Sequence, residues 1–208
     1  WVYIGSMRGL LESKKHSKNK KKDRIKMTRF RKIESISLSN EEFFEIKKGR
    51  FSKKGIDYVE RSVDLIDPVP HVMPVELNRF SIFSSLSQTR FCLKKDHADR
   101  LQRLVPERSI LLSTISSSLG KASLCINPVS INQFVVGVII KDKSILLPRY
   151  VLYMAGSART QLHLMAKGGV GHVTFNEILS LSIPLLNLER QREIIEKFEN
   201  TARSMERT

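Results

Sequence analysis

The segment "NQFVVGVII", residues 132–140, runs from two amides into an almost unbroken series of Val and Ile. β-Branched side chains packed this densely suit a strand covered on both faces, and the run is short for a buried helix. A strand of that kind needs partners on each side, so the fold is built on a sheet. Neighbouring segments supply the partners. "SILLSTI" and "ASLCI", joined by a Ser/Gly turn, read as two strands, and "FRKIESISLS" alternates like a third. "FFEIKKGRF" reads as a strand entering a Gly turn, and "RFSIFSSL" and "TRFCLKK" resemble further strands. Pro68, Pro70 and Pro74 punctuate a stretch between these that reads as extended.

Helical signals are fewer and cluster late. Asp96 can cap "HADRLQRLV", which Pro106 stops, and Pro148 suits the first turn of "PRYVLYMAG". Ser157 can cap "ARTQLHLMAK", which ends at Gly168; "FNEILSL" then gives a helical turn and "SIPLL" an extended piece halted at Pro184. The last helix differs in kind. Leu188, Gln191, Ile195, Phe198, Ala202 and Met205 alternate at three and four residues, the a/d seam of a coiled coil, with Arg190, Glu193 and Glu196 elsewhere around it. Such a seam predicts a partner helix. The bland alternative is a terminal helix docked on its own domain.

At 208 residues and 41% hydrophobic, the chain can bury one ordinary core. No apolar run approaches the roughly 20 residues that span a bilayer, and the N-terminus lacks the order of a signal peptide. No membrane association and a cytoplasmic location are the expectation. Cys92 and Cys125 stand apart, without CxxC spacing, and read as buried thiols in a reducing compartment. The net charge of +15 points to a polyanion, because neutralising phosphates releases counterions. That charge is uneven: residues 1–55 hold 17 Lys/Arg against 6 Asp/Glu. Most of the excess lies in "SKKHSKNKKKDRIKMTRFRK", readable as a nucleic-acid arm or as a solvated linker. Because Trp1 opens the chain and Thr208 closes it inside a helical pattern, it reads as a piece of something longer.

Catalytic patterns fail one by one. "SSSLGKAS" has Ile115 where a phosphate loop needs its first glycine and Ala122 where Ser/Thr should follow the lysine. "GGVGHV" lacks a preceding strand and the GxGxxG frame. Glu45-Ile46-Lys47 matches a nuclease ExK, but its only upstream aspartate, Asp23, sits in the lysine run with no strand to hold it. His163 and His172 have neither i, i+4 spacing nor an acidic companion, so no metal site is expected. Nor is there an Asn-Pro-Pro-aromatic motif or a glycine-rich cofactor loop of an adenine methyltransferase. The chain reads as non-catalytic and without a cofactor of its own.

One order of weak motifs is informative. "RSILLSTISSSLGKASLCI", a buried strand, "LPRYVLYMAGSARTQLHLMAKGGVGHVTFNEILSLSIPLL" and "NLERQREIIEKF" follow one another over about residues 105–200. This order resembles the target recognition domains of type I restriction-modification specificity subunits, or the similar domain fused to an adenine-specific DNA methyltransferase. In that family a Gly-Lys turn leads to paired helices, a glycine loop, an "IPLP"-like segment and a long helix. Leu186 replaces the second proline, Arg190 separates Glu189 from Gln191, and the N-terminal half matches only around "FFEIKKGRF".

The resemblance implies an α+β domain with a β-sheet core, residues 30–186, followed by a coiled-coil or spacer helix, residues 187–208, and preceded by a segment and basic linker, residues 1–29. It implies sequence-specific reading of one half of a split site in double-stranded DNA. Implied partners are an adenine-specific DNA methyltransferase subunit or fused domain, which would bind S-adenosylmethionine, a restriction subunit, and a second copy meeting through the C-terminal helix. A full subunit carries two recognition domains, and this chain has room for one. Lys47, Lys48, Arg50, Lys53 and Lys54 flank one predicted turn, Lys121 sits on another, and Arg159, Lys167 and His172 bracket the glycine loop. Each alone reads as a surface charge; as a set they are the candidate DNA footprint. The competing classes are a basic RNA-binding or ribosome-associated protein and a helix-mediated interaction module.

Overall fold

The computed structural model describes residues 34–55, 57–62, 68–79, 85–93, 104–115, 118–157, 164–165 and 173–205, all within the compact unit Ile33–Thr208. At its centre lies the Val/Ile segment, here β10 (Val135–Ile140). It pairs antiparallel with β2 (Phe44–Lys48) on one side and with β7 (Ile110–Ser113) on the other. Beyond β7 come β8 (Ala122–Cys125) and, parallel to it, β5 (Ser85–Leu86). Side chains of β10 divide between two cores. Val136, Val138 and Ile140 enter the larger one with Phe44, Ile110 and Leu112. Val135 and Ile139 enter the second with Leu111, Val105 and Cys125. Burial on both faces explains why this strand carries no polar alternation.

Against the second core lies a four-stranded sheet, ordered β3 (Tyr58–Glu60), β6 (Phe91–Leu93), β4 (Pro70–Val72), β9 (Ser130–Ile131), with β4 and β9 parallel. Val72 and Ile131 point from it into that core. Close approach is enforced at Gly137, where an added Cβ would lie 2.7 Å from Cγ2 of Val105.

The larger core is closed by α2 (Pro148–Ala155), which begins at a proline that needs no hydrogen-bonding partner there and buries Tyr150, Val151, Leu152, Tyr153 and Ala155. The Tyr150 hydroxyl donates to the Pro184 carbonyl at 2.8 Å, and burial pushes its phenol up to about 12. A short α3 (Phe175–Leu179) is held by a capping box in which Thr174 and Glu177 satisfy each other's backbone N–H groups. β1 (Ser35–Ser37) pairs antiparallel with β11 (Ser182–Pro184), so the start of the described domain lies beside the strand that leads into its last helix.

That helix, α4 (Leu188–Met205), starts at Asn187, whose Oδ1 accepts the Arg190 N–H at 2.9 Å. It packs on α2. Phe198 stacks on Tyr153 with ring centres 5.0 Å apart, and Arg149 bonds Glu199 at 3.1 Å.

The α+β class with a sheet core and a C-terminal helix agrees with the sequence reading. Three local readings need correction. The strand expected from residue 132 starts at Val135, because Asn132 makes a tight turn in which its carbonyl accepts the Val135 N–H and its Oδ1 the Phe134 N–H. The extended stretch around Pro74 is interrupted by α1 (Pro74–Arg79), whose buried Glu76 accepts the Arg90 N–H at 3.0 Å. Residues 97–103 of the helix expected at 97–105, and most of the one expected after Ser157, lie outside the described residues; the end of the former is not helical, since Val105 pairs with Val129 through both backbone hydrogen bonds, at 2.8 and 2.9 Å.

Candidate nucleic-acid interface

Strand directions bring one set of loops to a single end of the five-stranded sheet. In register, Lys48 of β2 sits opposite Val136, Val135 opposite Ser113, and Leu112 opposite Ala122. The end of β2, the start of β10, the end of β7 and the start of β8 therefore lie together. Three of the candidate cations arrive there: Lys48, Arg50 just beyond β2, and Lys121 just before β8, all exposed. The exit of the glycine loop joins them, since the Val173 N–H donates to the Thr114 carbonyl at 2.8 Å and Thr114 bonds the Phe134 carbonyl through both its N–H (2.9 Å) and its hydroxyl (3.2 Å). An open groove of about 340 Å³ results, lined by Lys48, Gly49, Thr114, Gln133, Phe134 and Phe175 among others. The Lys48 ammonium lies 3.7 Å from the centre of the Phe175 ring, which holds the charge at the rim of the groove.

Other candidates are placed differently. Lys47 is half-buried, and its ammonium donates to the Leu104 carbonyl at 2.8 Å, so it ties β2 to a neighbouring segment. Lys54 pairs with Glu60 at 2.8 Å; that carboxylate also meets Arg90 at 3.2 Å, and the two cations, Lys54 foremost, hold the Glu60 carboxyl below its ordinary range. Lys53 is exposed on the same loop, its backbone N–H bonded to Asp57. Arg159, Lys167 and His172 lie outside the described residues. Glu45 and Lys47 of the ExK triplet are 3.9 Å apart. Among the described residues no three His, Cys, Asp or Glu side chains gather as a metal site, and no helix is long and apolar enough to cross a membrane.

Beneath the sheet end lies a group that sequence reasoning missed. His71, fully buried on β4, has Nε2 3.0 Å from the Ser52 hydroxyl and Nδ1 3.0 Å from the Ser130 hydroxyl, and its ring stacks on Tyr58 at 4.8 Å. Ser52 in turn accepts from the Asn132 amide at 3.1 Å. This network fastens the segment after β2 to the turn before β10. Gly49 is required at the junction, because an added Cβ would fall 1.8 Å from the Asn132 carbonyl oxygen. Nothing in the spacing of Ser52, His71, Ser130 and Asn132 announces the cluster, since it joins three segments far apart in the chain, around residues 52, 71 and 130–132.

The helical seam also takes its place. Gln191 is completely buried: its Oε1 accepts the Leu147 N–H at 2.9 Å and its Nε2 donates to the carbonyls of Ile145 (2.7 Å) and Leu186 (2.8 Å). Ile195 and Phe198 pack, half-buried, on the domain's own core; Leu188 is half-buried and Ala202 buried. The inner stripe of α4 thus covers this domain, which is the docked-helix alternative. Of Met205 only the backbone is described.

The family model described as the type I restriction modification DNA specificity domain matches residues 32–208. The chain belongs to that family. Among curated members it is 26% identical over 166 residues to the type I restriction enzyme EcoR124I/EcoR124II specificity subunit of Escherichia coli, across 76% of this chain and 39% of that protein. It therefore spans about two fifths of the length of that relative. A solved chain from a study of assembly and conformational transition in a type I R-M system matches with a TM-score of 0.59 at 18% identity, over 82% of this chain and 38% of that one. The HsdS subunit of Thermoanaerobacter tengcongensis matches with a TM-score of 0.58 at 17% identity, over 82% and 37%. The specificity-domain fold is thus shared at low identity.

Proposed function

We propose that this chain is a non-catalytic recognition module of a type I restriction-modification system, reading one half of a split site in double-stranded DNA in the cytoplasm. The family match over residues 32–208 carries the reading. Support comes from the +15 charge and from the convergence of Lys48, Arg50 and Lys121 with the groove-lining loops at one sheet end. Phosphate contacts by such cations set register, while the loops between them meet base edges. Methyl transfer belongs to an adenine-specific methyltransferase partner or fused domain that binds S-adenosylmethionine, and a restriction subunit joins the complete assembly. The outward face of α4, carrying Glu189, Arg192, Glu193 and Glu196, is the surface we assign to partner helices, including that of a second recognition domain.

Selection of bound sites from a randomised duplex pool by the full chain tests this, with single-stranded DNA and RNA as competitors. Enrichment of one short motif in duplex DNA, with affinity falling steeply as salt rises, is expected. Preference for RNA, or duplex binding without any motif, would overturn it.

A further inference from the structure

We infer that Gln133 is a base-reading residue, specific for adenine, with the neighbouring Phe51 making an apolar contact beside it; the inference rests on the DNA-reading function proposed above. Gln133 occupies the tip of the turn that leads into β10, is exposed, and lines the groove at the basic sheet end. Among the described residues no group hydrogen-bonds its side-chain amide. The backbone that carries it is unusually constrained. Every polar group of Asn132 is engaged: its N–H donates to the Val72 carbonyl (3.0 Å), its carbonyl accepts from Val135 (2.9 Å), its Oδ1 accepts from Phe134 (3.1 Å), and its Nδ2 donates to Ser52 (3.1 Å). On the other side of Gln133, the Phe134 carbonyl is held by Thr114. An exposed amide on a turn fixed from both sides is poorly explained by stability, because its own atoms stabilise nothing. It is what base readout requires, since a glutamine amide offers one donor and one acceptor that match N7 and the N6 amino group of adenine in the major groove.

Phe51 strengthens the assignment. Arg50 bridges Asn132 in parallel register, so Phe51 and Gln133 each follow a residue of that bridge, and Phe51 is 68% exposed although Ser52 next to it is anchored in the buried His71 network. A largely exposed phenyl ring between Arg50 and Lys53 suits contact with a thymine methyl or an unstacked base step. Arg50 and Lys48 stand close enough in the chain to hold the flanking phosphates.

The test compares the full chain with Gln133→Ala and Phe51→Ala by site selection from the randomised duplex pool, followed by titration of single-base variants of the selected site. Gln133→Ala should lose preference at one A·T position by about 10-fold or more while binding unrelated duplexes as the parent does. Phe51→Ala should weaken the selected site at the same or an adjacent position. Gln133→Glu, which keeps the size but not the donor, should exchange the preference at that position for another base, a result that a merely structural residue would not produce. An unchanged motif in Gln133→Ala overturns this inference and leaves the proposed function intact. Failure of the unmodified chain to select any motif overturns both.

Discussion

Replacing Gln191 with leucine keeps the volume of the side chain and removes all of its hydrogen bonding. Three backbone groups lose their partner at once: the Leu147 N–H and the carbonyls of Ile145 and Leu186. A buried polar group left unsatisfied costs about 1–3 kcal/mol, so the three together cost about 3–9 kcal/mol before relaxation. Two effects pull the figure down. Ile145 is 41% exposed, so water reaches its end of the loop, and the leucine regains up to about 2 kcal/mol of apolar burial. A net loss of about 3 kcal/mol is expected for Gln191→Leu, a large share of the roughly 5–15 kcal/mol that holds a domain together. Urea denaturation followed by far-ultraviolet circular dichroism should show it as a lower midpoint with unchanged slope, and thermal melting as a fall of about 6–12 °C. Gln191→Glu should be at least as damaging, because a carboxylate cannot donate to two carbonyls. A change below about 1 kcal/mol for Gln191→Leu would refute the anchoring role. If assembly with a methyltransferase were lost while stability stayed, Gln191 would belong to an intermolecular seam.

Gly137→Ala should cost about 1–3 kcal/mol by driving a Cβ into Val105, and Val105→Ala in the same chain should recover part of that loss, read as a coupling energy in a double-mutant cycle. Both cysteines are fully buried and free; burial raises the Cys92 thiol and pushes Cys125 up to about 11, where its S–H donates to the Pro106 and Ser109 carbonyls. Neither should therefore react quickly with a disulfide reagent at pH 8 in the native chain, and both should titrate in urea; fast reaction of either would contradict their burial. Phe198→Asp removes the ring stacked on Tyr153 and should destabilise the isolated chain by about 3 kcal/mol; unchanged melting with lost partner binding would place Phe198 on a partner instead. Deleting residues 14–32 should weaken binding to all duplexes alike and flatten the salt slope without changing the selected motif, and a changed motif would show that the arm reads sequence.

How much of this was legible in the chain depends on the range of the interaction concerned. The sheet core followed from the Val/Ile density of residues 132–140, the start of α2 from Pro148, and the last helix from its three-four spacing, because each is a periodicity or a backbone restriction acting over a few residues. The order of the weak motifs from residue 105 onward was likewise enough to suggest the family. Partner choice was not legible. The spacing that marks Gln191, Ile195 and Phe198 as one stripe is the same whether the stripe meets a second helix or Tyr153 of the same domain, and only the position of α2 decided it. Lysines fared similarly: a charge in a sequence is a free cation until a carbonyl such as that of Leu104 or a carboxylate such as Glu60 is brought to it, as happened to Lys47 and Lys54. Gln133, Phe51 and the His71 network were invisible for the same reason. Their meaning lies in contacts between residues far apart in the chain, 80 positions from Ser52 to Asn132, and tertiary packing alone sets such distances. The sequence by itself determined the strongest strand and helix signals, such as the Val/Ile run and the last helix, and that the chain would be basic; the tertiary structure decided where the weaker elements such as α1 lie, which cations stand at one sheet end and which side chains face outward between them.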